Sequence, residues 1–493
     1  MKNITNWIRR IILLSCACLI LTAANATAAT LTVTKIVDTN DGICSNADCS
    51  LREAIDVAAP SDTIVFSALF NTAQTIGLMN GELDVDKDLT IVGPGADLLT
   101  IDGNNGATVD NVFDIFANVT VNLSGMTITD GGFYADFSIQ NSGSLTIEQC
   151  SVSGNVSAGG IRNDGTLTVD SSTISENNGL RGGGIENYGD LTIVKSTVSN
   201  NVGDFASALG GGAGGVFSRE GTLTITNSTI SGNLKRNAHD NGGGIWTNSP
   251  TTITNTTIAN NEGNVLSSSD ASGIFAVSNL VTIRSTIIAA NVNNTTVPDV
   301  VAGAGGGFLS GGWNLIGNAG AVTTFNFLGD QTGTAAAPLN PLLDPLGNYG
   351  GMTETHRLQT NSPAIDKAYS FGSNEDQRGF TRPFDKANYP NATGGDGSDI
   401  GAYELQFAVA VSGAVYHYSG IPIRNARVLL RGANGFRRSV KTDQLGVFRF
   451  DNIPRNRTYQ VSVTNFRLEV VPQFWVIMVA EENINNLNFT ALP

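Results

Sequence analysis

LTITNSTISGN, residues 223–233, alternates apolar and polar side chains over two short runs that a single Asn-Ser step separates. Successive side chains of a strand point to opposite faces, so Leu223, Ile225 and Ile230 share one face and the threonines between them lie on the other. The stretch therefore predicts a strand, a bend and a second strand.

The same pattern recurs along the chain at intervals of 22 to 32 residues. Six clear copies and two weaker ones begin at Leu145, Leu167, Leu191, Leu223, Thr251 and Val281, and at Leu89 and Val119. A glycine followed by an apolar residue marks a third strand before five of them, at Gly160-Ile161, Gly184-Ile185, Gly215-Val216, Gly244-Ile245 and Gly273-Ile274. One coil of three strands cannot bury its apolar face alone, whereas stacked coils about 4.8 Å apart form a continuous core. The sequence predicts an all-β chain whose main unit is a right-handed parallel β-helix, a pectin-lyase-like solenoid.

Each coil ends in asparagine, where stacked side-chain amides can hydrogen-bond along the axis of the solenoid. The positions are Asn155, Asn177, Asn201, Asn233, Asn261 and Asn291. Cys150 aligns with Ser228 at the bend of the repeat. We expect this cysteine to be buried and inert.

Residues 1–28 have the composition of a secretory signal peptide. Lys2, Arg9 and Arg10 precede an apolar run at 11–22, and Ala26-Thr27-Ala28 offers small residues for cleavage. A membrane anchor is the alternative, although the run is short for a bilayer span, and no later segment is long and apolar enough. We expect a mature chain without a transmembrane helix, secreted or displayed at a bacterial cell surface.

The mature chain is strongly acidic. Without the signal peptide it contains 25 basic and 43 acidic residues, a net charge near −18. This balance disfavours nucleic acid and anionic membrane surfaces as partners. The acidic loops 38–42 and 396–399 make calcium a possible ligand, although acidity also raises solubility.

Cys44 and Cys49 lie close together in a chain predicted to be exported, so we expect a disulfide between them. Zinc is the weaker alternative, because none of the three histidines is near this pair in sequence. Ser50 and Glu53 have the spacing of a capping box, and the apolar residues after them fall on one helical face. This segment predicts a short helix that closes the N-terminal end of the core.

The segment CSLREAI at 49–55 resembles the CSLREA motif found near the N-termini of exported bacterial β-helix proteins. Later blocks resemble the choice-of-anchor Q region: NPLL at 340–343, NYGG at 348–351, NSPAID at 361–366, DQRG at 376–379 and DIGAYE at 399–404. In that family the region usually precedes a sorting tail, which implies surface display or export.

From Val411 onward the chain departs from that family and resembles a carboxypeptidase regulatory-like, transthyretin-type β-sandwich, through the alternating runs at 423–430, 442–450 and 459–463. Such modules lack peptidase chemistry of their own, so the resemblance implies neither zinc nor protease activity. The predicted domains are the signal peptide at 1–28, a CSLREA cap at 29–80, β-helix repeats at 81–335, a choice-of-anchor Q-like region at 336–406 and the sandwich at 407–493.

The residues after the third-strand apolar positions form one predicted outward column, Arg162, Glu186, Phe217, Trp246 and Phe275. Polysaccharide cleavage needs paired carboxylates, or a calcium-binding acidic cluster beside a base. The column offers one acid and one base but no second carboxylate in line, and we expect the two to form a surface ion pair. We therefore predict no catalytic residue and no metal ligand.

Phe217, Trp246 and Phe275 are the candidates for carbohydrate binding, because rings on consecutive coils would span about 10 Å and could stack on a sugar chain. The alternative is that the insertions at 202–214 and 234–241 cover the rings.

Two other patterns receive weaker functional interpretations. An outward threonine column could bind ice, but the places of a second threonine column hold mostly other residues. The first column is Thr90, Thr120, Thr146, Thr168, Thr192, Thr224, Thr252 and Thr282, and the second is Glu148, Asp170, Val194, Thr226, Thr254 and Arg284. His239, His356 and His417 fall in different units, so they do not predict a triad or a metal site.

The sequence favours an exported, non-enzymatic β-helix scaffold for adhesion or for recognition of an extracellular glycan or matrix protein. A polysaccharide lyase or glycosidase is the first alternative. A structural spacer that presents the C-terminal sandwich is the second. The preferred role rests partly on fold analogy, and one fold hosts many functions.

Overall fold

The computed structural model describes residues 28–104, 111–132, 137–156, 159–204, 211–236, 241–263, 270–291, 297–406, 409–433, 436–454, 457–464, 469–480 and 482–493. All but the last residue of the predicted signal peptide lies outside these ranges, as does His239. Three long sheets, each built from parallel pairs, run through the first two thirds of the chain. The predicted β-helix and the all-β class are confirmed.

Sheet 1 contains the quoted repeat and has 11 strands. They are Thr30–Val33, Asp62–Phe66, Leu89–Val92, Thr120–Ser124, Ser144–Glu148, Thr166–Asp170, Asp190–Val194, Thr222–Thr226, Thr251–Thr254, Leu280–Arg284 and Gly307–Ser310. Equivalent residues pair coil by coil, as when Leu191 pairs with Leu167 and with Leu223. The repeat in the sequence is therefore also the register of the sheet.

Sheet 2 holds the second strand of each repeat. Its 11 strands are Gln74–Gly77, Leu99–Asp102, Thr127–Thr129, Ser151–Ser153, Thr173–Ser175, Thr197–Ser199, Thr229–Ser231, Thr257–Ala259, Ile287–Ile288, Leu315–Ile316 and Gln331–Thr332. Sheet 3 holds the glycine-led third strands. Its nine strands are Leu83–Val85, Phe113–Ile115, Ile139–Asn141, Ile161–Asn163, Ile185–Asn187, Val216–Ser218, Ile245–Thr247, Ile274–Ala276 and Val300–Ala302.

Short extra strands stack in the loops between sheets 2 and 3. One group is Asn178–Gly179, Val202–Gly203 and Leu234–Lys235, and the other is Gly212–Ala213 and Asn241–Gly242. Parts of the longer insertions are thus ordered onto the solenoid.

One register prediction is wrong. The weak copy does not begin at Val119, because Leu89 pairs with Val121 and Thr90 pairs with Asn122. Val121 and Leu123 are fully buried, so their burial sets the alignment and moves Thr120 out of the threonine column. From Thr146 to Thr282 the column has the predicted register.

The predicted asparagine ladder is confirmed. Each side-chain amide nitrogen donates to the side-chain oxygen of the next coil at 2.7 to 3.0 Å, from Asn155 through Asn177, Asn201, Asn233 and Asn261 to Asn291. The last amide donates to the carboxylate of Asp299 at 2.8 Å. Burial raises the pKa of Asp299 to about 6. A carboxylate suits this position because it accepts the final donor and needs no further acceptor of its own.

A second ladder lines the turn between sheets 3 and 1, from Asn141 through Asn163 and Asn187 to Ser218. At the opposite bend the serines of successive coils hydrogen-bond to the backbone, and Ser172 accepts from the amide of Cys150 at 3.0 Å. Cys150 is buried as predicted, and burial raises the pKa of its thiol to about 12. Such a thiol carries almost no thiolate at neutral pH and is unreactive.

The N-terminal cap has the predicted parts. Cys44 and Cys49 form a disulfide, and the helix Leu51–Val57 begins with a complete capping box between Ser50 and Glu53. Glu53 is buried, and despite this burial, hydrogen bonds from Ser50, Thr39 and Asp41 lower its pKa to about 2.

Arg52 attaches this helix to the first turns of the solenoid. Its guanidinium contacts both carboxylate oxygens of Asp38, at 2.8 and 3.1 Å, and donates to the carbonyls of Gly81 and Glu82 at 2.6 Å. A one-turn 3-10 helix, Ala68–Asn71, follows strand Asp62–Phe66. No described helix has the length and hydrophobicity of a bilayer span.

Residues 336–406 have little regular structure and pack along sheet 2. Gln377 accepts from Thr229 at 2.6 Å and donates to Thr197 at 3.0 Å. Inside this segment Arg382 pairs with Glu404 at 2.9 Å and Arg378 pairs with Asp376 at 2.6 Å, all four being buried. This segment has no regular backbone pairing that would define its path. Its buried ion pairs and the hydrogen bonds of Gln377 hold the irregular backbone in place.

The C-terminal unit is a sandwich of two four-stranded sheets. Sheet 4 contains Val409–His417, Val447–Ile453, Val470–Val471 and Phe489–Ala491, and sheet 5 contains Arg427–Arg431, Arg437–Lys441, Arg457–Thr464 and Phe474–Val479. The sandwich lies against the side of the solenoid, where Arg427 pairs with Asp97 and Arg457 pairs with Glu375.

Candidate functional site

The predicted outward column is present on sheet 3 and is longer than the sequence indicated. Cross-strand pairing aligns nine residues, which we call the sheet 3 row: Asp84, Asp114, Gln140, Arg162, Glu186, Phe217, Trp246, Phe275 and Val301. The row is acidic at its N-terminal end and aromatic toward its C-terminal end.

The aromatic end corrects the expectation of an exposed stripe. Phe217, Trp246 and Phe275 do align on consecutive coils, but only 2, 8 and 4% of their surfaces are exposed. The rings of Phe217 and Trp246 stack with centroids 4.4 Å apart. Large apolar rings outside the solenoid gain more from burial than from contact with water, so the loops cover them.

The covering residues belong to the loops between sheets 2 and 3 and, for Tyr188, to the turn between sheets 3 and 1. Ala213 and Ala271 pack against the three rings as a small second core, and Tyr188 adds its edge. Gly211 has a positive φ of 82° and passes so close to Trp246 that a Cβ atom would meet the indole ring at 2.6 Å. The predicted carbohydrate contact at these rings therefore lacks the accessible surface that stacking requires.

The centre of the row is an ion-pair cluster around Arg162. Its guanidinium donates to both carboxylate oxygens of Asp164, at 2.9 and 3.1 Å, and lies 3.6 Å from Glu186 and 4.6 Å from the ring centroid of Tyr188. Glu186 also accepts from the Tyr188 hydroxyl at 2.8 Å. The hydrogen bonds that Arg162 donates to the Asp164 carboxylate raise the pKa of Arg162. The predicted Arg162–Glu186 pair is present, although Asp164 is the nearer partner.

The acidic end contains residues that the sequence reading missed. Oxygen atoms of Glu82, Asp84 and Asp114 lie within 4.8 Å of one another, close enough to hold a metal ion. Burial and the neighbouring Asp84 raise the pKa values of Glu82 and Asp114. The expectation of no second carboxylate in line is wrong. No glycine-apolar signal precedes these strands, so the repeat pattern did not reveal them.

A polar cavity of about 340 Å³ adjoins this acidic end. Its lining includes Asp84, Asp56, Asn40, Asn80 and Arg52. A second cavity, of about 530 Å³, lies where the solenoid, Met352 and the sandwich residues Arg437 and Ser439 meet. The first cavity adjoins the sheet 3 row. The solenoid residues that line the second cavity lie between Val92 and Thr173, on coils that precede those of the aromatic rings.

In the two predicted calcium loops, carboxylates accept hydrogen bonds from neighbouring parts of the protein. Asp38 holds Arg52 and accepts from the amides of Met79 and Asn80 at 2.8 and 3.0 Å. Asp396 and Asp399 accept from backbone amides around them, including those of Ser370 and Leu405. Calcium at these loops remains a prediction.

The described histidines lie apart. Nδ1 of His356 is 2.8 Å from the carbonyl oxygen of Asp344, and Nε2 is 2.8 Å from the hydroxyl of Ser231. Both His356 and Ser231 are buried, and His417 lies in the sandwich beside Ser419. His356 therefore fixes the 336–406 segment to strand Thr229–Ser231.

The solved structures that this chain resembles include two lyases. The pectate lyase Pel9A has a TM-score of 0.40 and 15% identity, over 77% of this chain and 97% of that chain. The PL6 family alginate lyase AlyGC has a TM-score of 0.33 and 13% identity, over 78% of this chain and 61% of that chain. No curated protein matches the sequence.

The CSLREA and choice-of-anchor Q resemblances remain predictions. The predicted C-terminal module is confirmed, because residues 410–491 match the carboxypeptidase regulatory-like domain family.

Proposed function

We propose that this chain is an exported β-helix scaffold that recognises an extracellular glycan or matrix polymer without cleaving it. The observation that carries the proposal is the state of Arg162, the one cation on the described sheet 3 row. A base that abstracts a proton must lose its own proton, and the bidentate contact with Asp164 opposes that loss by raising the pKa of Arg162. Arg162 is therefore poorly suited to act as the base of a cleavage reaction.

A polysaccharide lyase is the second candidate, and the carboxylates of Glu82, Asp84 and Asp114 favour it. Three oxygen donors within 4.8 Å offer hard ligands of the kind that calcium prefers. The cavity of about 340 Å³ beside Asp84 would admit a few sugar units. A lyase would still require a base from elsewhere in the chain.

The spacer hypothesis receives less support. A spacer holds its cargo away from its own body, whereas the sandwich contacts the second complete coil at Asp97. Its other contact, from Arg457 to Glu375, also keeps the sandwich beside the solenoid.

A glycan-array screen of the mature chain, with calcium and with a chelator, tests these candidates. Every glycan retained is then incubated with the protein and assayed for unsaturated or reducing-end products. We expect retention without products. Products that disappear in the variant D84N/D114N would instead establish the lyase. Absence of retention on every glycan would contradict both.

A further inference from the structure

The charge of the chain is divided unevenly between its two units. Residues 409–493 contain ten Lys or Arg and five Asp or Glu, whereas residues 29–408 contain fifteen and thirty-eight. The sandwich is therefore basic in a protein whose net charge is −15. Such an asymmetry creates a local positive potential that the overall charge hides.

The cations of sheet 5 are concentrated on one side. Arg427 lies directly opposite Lys441, and Arg431 lies directly opposite Arg437. Val428 and Leu430 between them belong to the sandwich core, so Arg427 and Arg431 point away from it, and their partners share that face. We call Arg427, Arg431, Arg437 and Lys441 the basic face.

Like charges placed directly across a strand pair destabilise a sheet unless anions neutralise them. Within the described residues, the carboxylate partners of the basic face are limited to Asp97, which pairs with Arg427. Arg437 donates to the carbonyl of Pro94, and Arg431 and Lys441 are exposed. Burial and the neighbouring Arg431 and Arg427 lower the pKa of Arg437, as expected where cations crowd without a counter-ion.

The same side of sheet 5 offers groups that suit a sugar chain. Ser462 and Gln460 lie opposite Leu429 and Arg431, which places hydroxyl and amide groups beside the cations. Phe474 lies opposite Ser462, and 48% of its surface is exposed. A sugar ring can stack on such a phenyl group while its hydroxyls bond to the polar side chains.

We propose that the basic face of the sandwich binds an anionic polysaccharide, with Arg431 and Lys441 contacting its carboxylate or sulfate groups. The pair Arg427–Lys441 and the pair Arg431–Arg437 lie four residues apart along their strands, about 13 Å. The two pairs therefore contact separate charges of a linear polymer. A planar guanidinium also holds a carboxylate or sulfate through two parallel hydrogen bonds. This rests on the proposed glycan recognition and names its site and its class of ligand.

An anionic membrane is a poorer partner for this face. Residues 29–408 contain thirty-eight acidic and only fifteen basic residues, and an anionic bilayer would repel this excess of negative charge. Arg427 and Arg437 already contact Asp97 and Pro94 of the solenoid. A flexible linear polymer can reach the exposed Arg431 and Lys441 without lying along the acidic solenoid.

The test measures binding of the full mature chain to immobilised dextran sulfate and polygalacturonate, with neutral dextran as the matched polymer control. We expect salt-sensitive binding to both polyanions and none to dextran. The reversals R431E and K441E should each weaken binding about tenfold or more. R219E removes the same charge from an exposed position on the solenoid and should leave binding nearly unchanged.

Several outcomes would overturn the proposal. Equal losses in R219E and R431E would assign binding to net charge, and equal affinity for dextran would remove the anionic requirement while leaving glycan recognition standing. Tighter binding to vesicles of equimolar phosphatidylserine and phosphatidylcholine, lost in R431E, would assign the face to membranes. Absence of binding to every glycan on the array would contradict the proposed function as well.

Discussion

The asparagine ladder shows how much one side chain stabilises in a solenoid. Asn201 donates to Asn233, accepts from the amide of Asn177 and also donates to the carbonyl of Ile174 at 2.9 Å. Because the ladder is fully buried from Asn155 to Asn261, water cannot replace a missing partner there.

Substitution N201A should lower the free energy of unfolding by roughly 2 kcal/mol or more, because it leaves buried donors and acceptors on two coils unpaired. Urea denaturation followed by circular dichroism measures the loss. N122A is the matched control, since Asn122 is exposed on sheet 1 and should change stability little. Equal midpoints for the two variants would contradict the stabilising role of the ladder.

His356 should make stability depend on pH. Burial lowers its pKa, so the neutral ring is the form that fits between Ser231 and Asp344. The unfolded histidine titrates near 6.5, and below this pH it takes up a proton before the folded one does. The contribution of His356 is therefore full above about pH 6.5 and is lost as the pH falls.

Unfolding midpoints between pH 8 and 5 check this expectation. The wild-type chain should lose more stability on acidification than H356Q, because glutamine does not titrate. H417Q, altered at the half-buried His417 of the sandwich, is the control and should follow the wild type. Parallel curves for wild type and H356Q would refute the assignment.

The N-terminal cap is the element whose parts depend most on one another. Arg52 neutralises the buried Asp38 and donates to the carbonyls of Gly81 and Glu82, which lie just before the first strand of sheet 3. Removing one partner of a buried ion pair leaves the other uncompensated.

Substitution R52M should destabilise the cap by about 3 to 5 kcal/mol. Hydrogen exchange should then accelerate first in strands Thr30–Val33 and Leu83–Val85, which the cap helix contacts. The variant D38N/R52M should recover part of the loss, because it leaves no buried charge unpaired. Unchanged exchange in these strands would show that the helix is dispensable.

The stacked rings of sheet 3 are a packing element. Substitution W246A should cost about 3 to 5 kcal/mol of stability by opening a cavity beside Phe217 and Phe275. Glycan retention by the protein that stays folded should not change. Y418A removes an aromatic ring that is 58% exposed and serves as the control. Lost retention with unchanged stability would restore the rings as a binding site.

At the scale of the molecule, ion pairs hold the sandwich against the solenoid. Glu375 accepts from Lys195 on the solenoid at 3.0 Å and also from Arg457 on the sandwich. Hydrogen bonds and charge from both cations lower the pKa of Glu375 despite its partial burial. Glu375 is thus the shared anion between two cations on separate units.

The variant E375Q/D97N should loosen this docking, and small-angle scattering should report a larger maximum dimension than for the wild type. Salt should enlarge the wild type in the same direction, because it screens partly exposed pairs. D344N is the control, since Asp344 pairs with Arg357 inside the 336–406 segment. An unchanged scattering profile would mean that apolar contacts suffice for docking.

The sequence determined the repetitive parts of this protein. Period-two alternation, the glycine-led strands and the coil-end asparagines predict sheets 1 to 3 and the ladder, because stacking identical coils leaves little freedom in register. The capping box and the two nearby cysteines likewise predict the cap and its disulfide, since both depend on residues close in the chain. The pattern weakens near Val119, and there the predicted register was wrong.

Tertiary structure alone decided what lies outside the repeat. Loops from separate coils bury Phe217, Trp246 and Phe275, and alternation cannot distinguish an exposed outward ring from a covered one. Asp84 and Asp114 belong to strands without the repeat signal, so only the paired register brought them to one row. Asp97 and Glu375 pair with Arg427 and Arg457 of the sandwich, which lie far from them in the sequence. No local sequence pattern encodes such contacts.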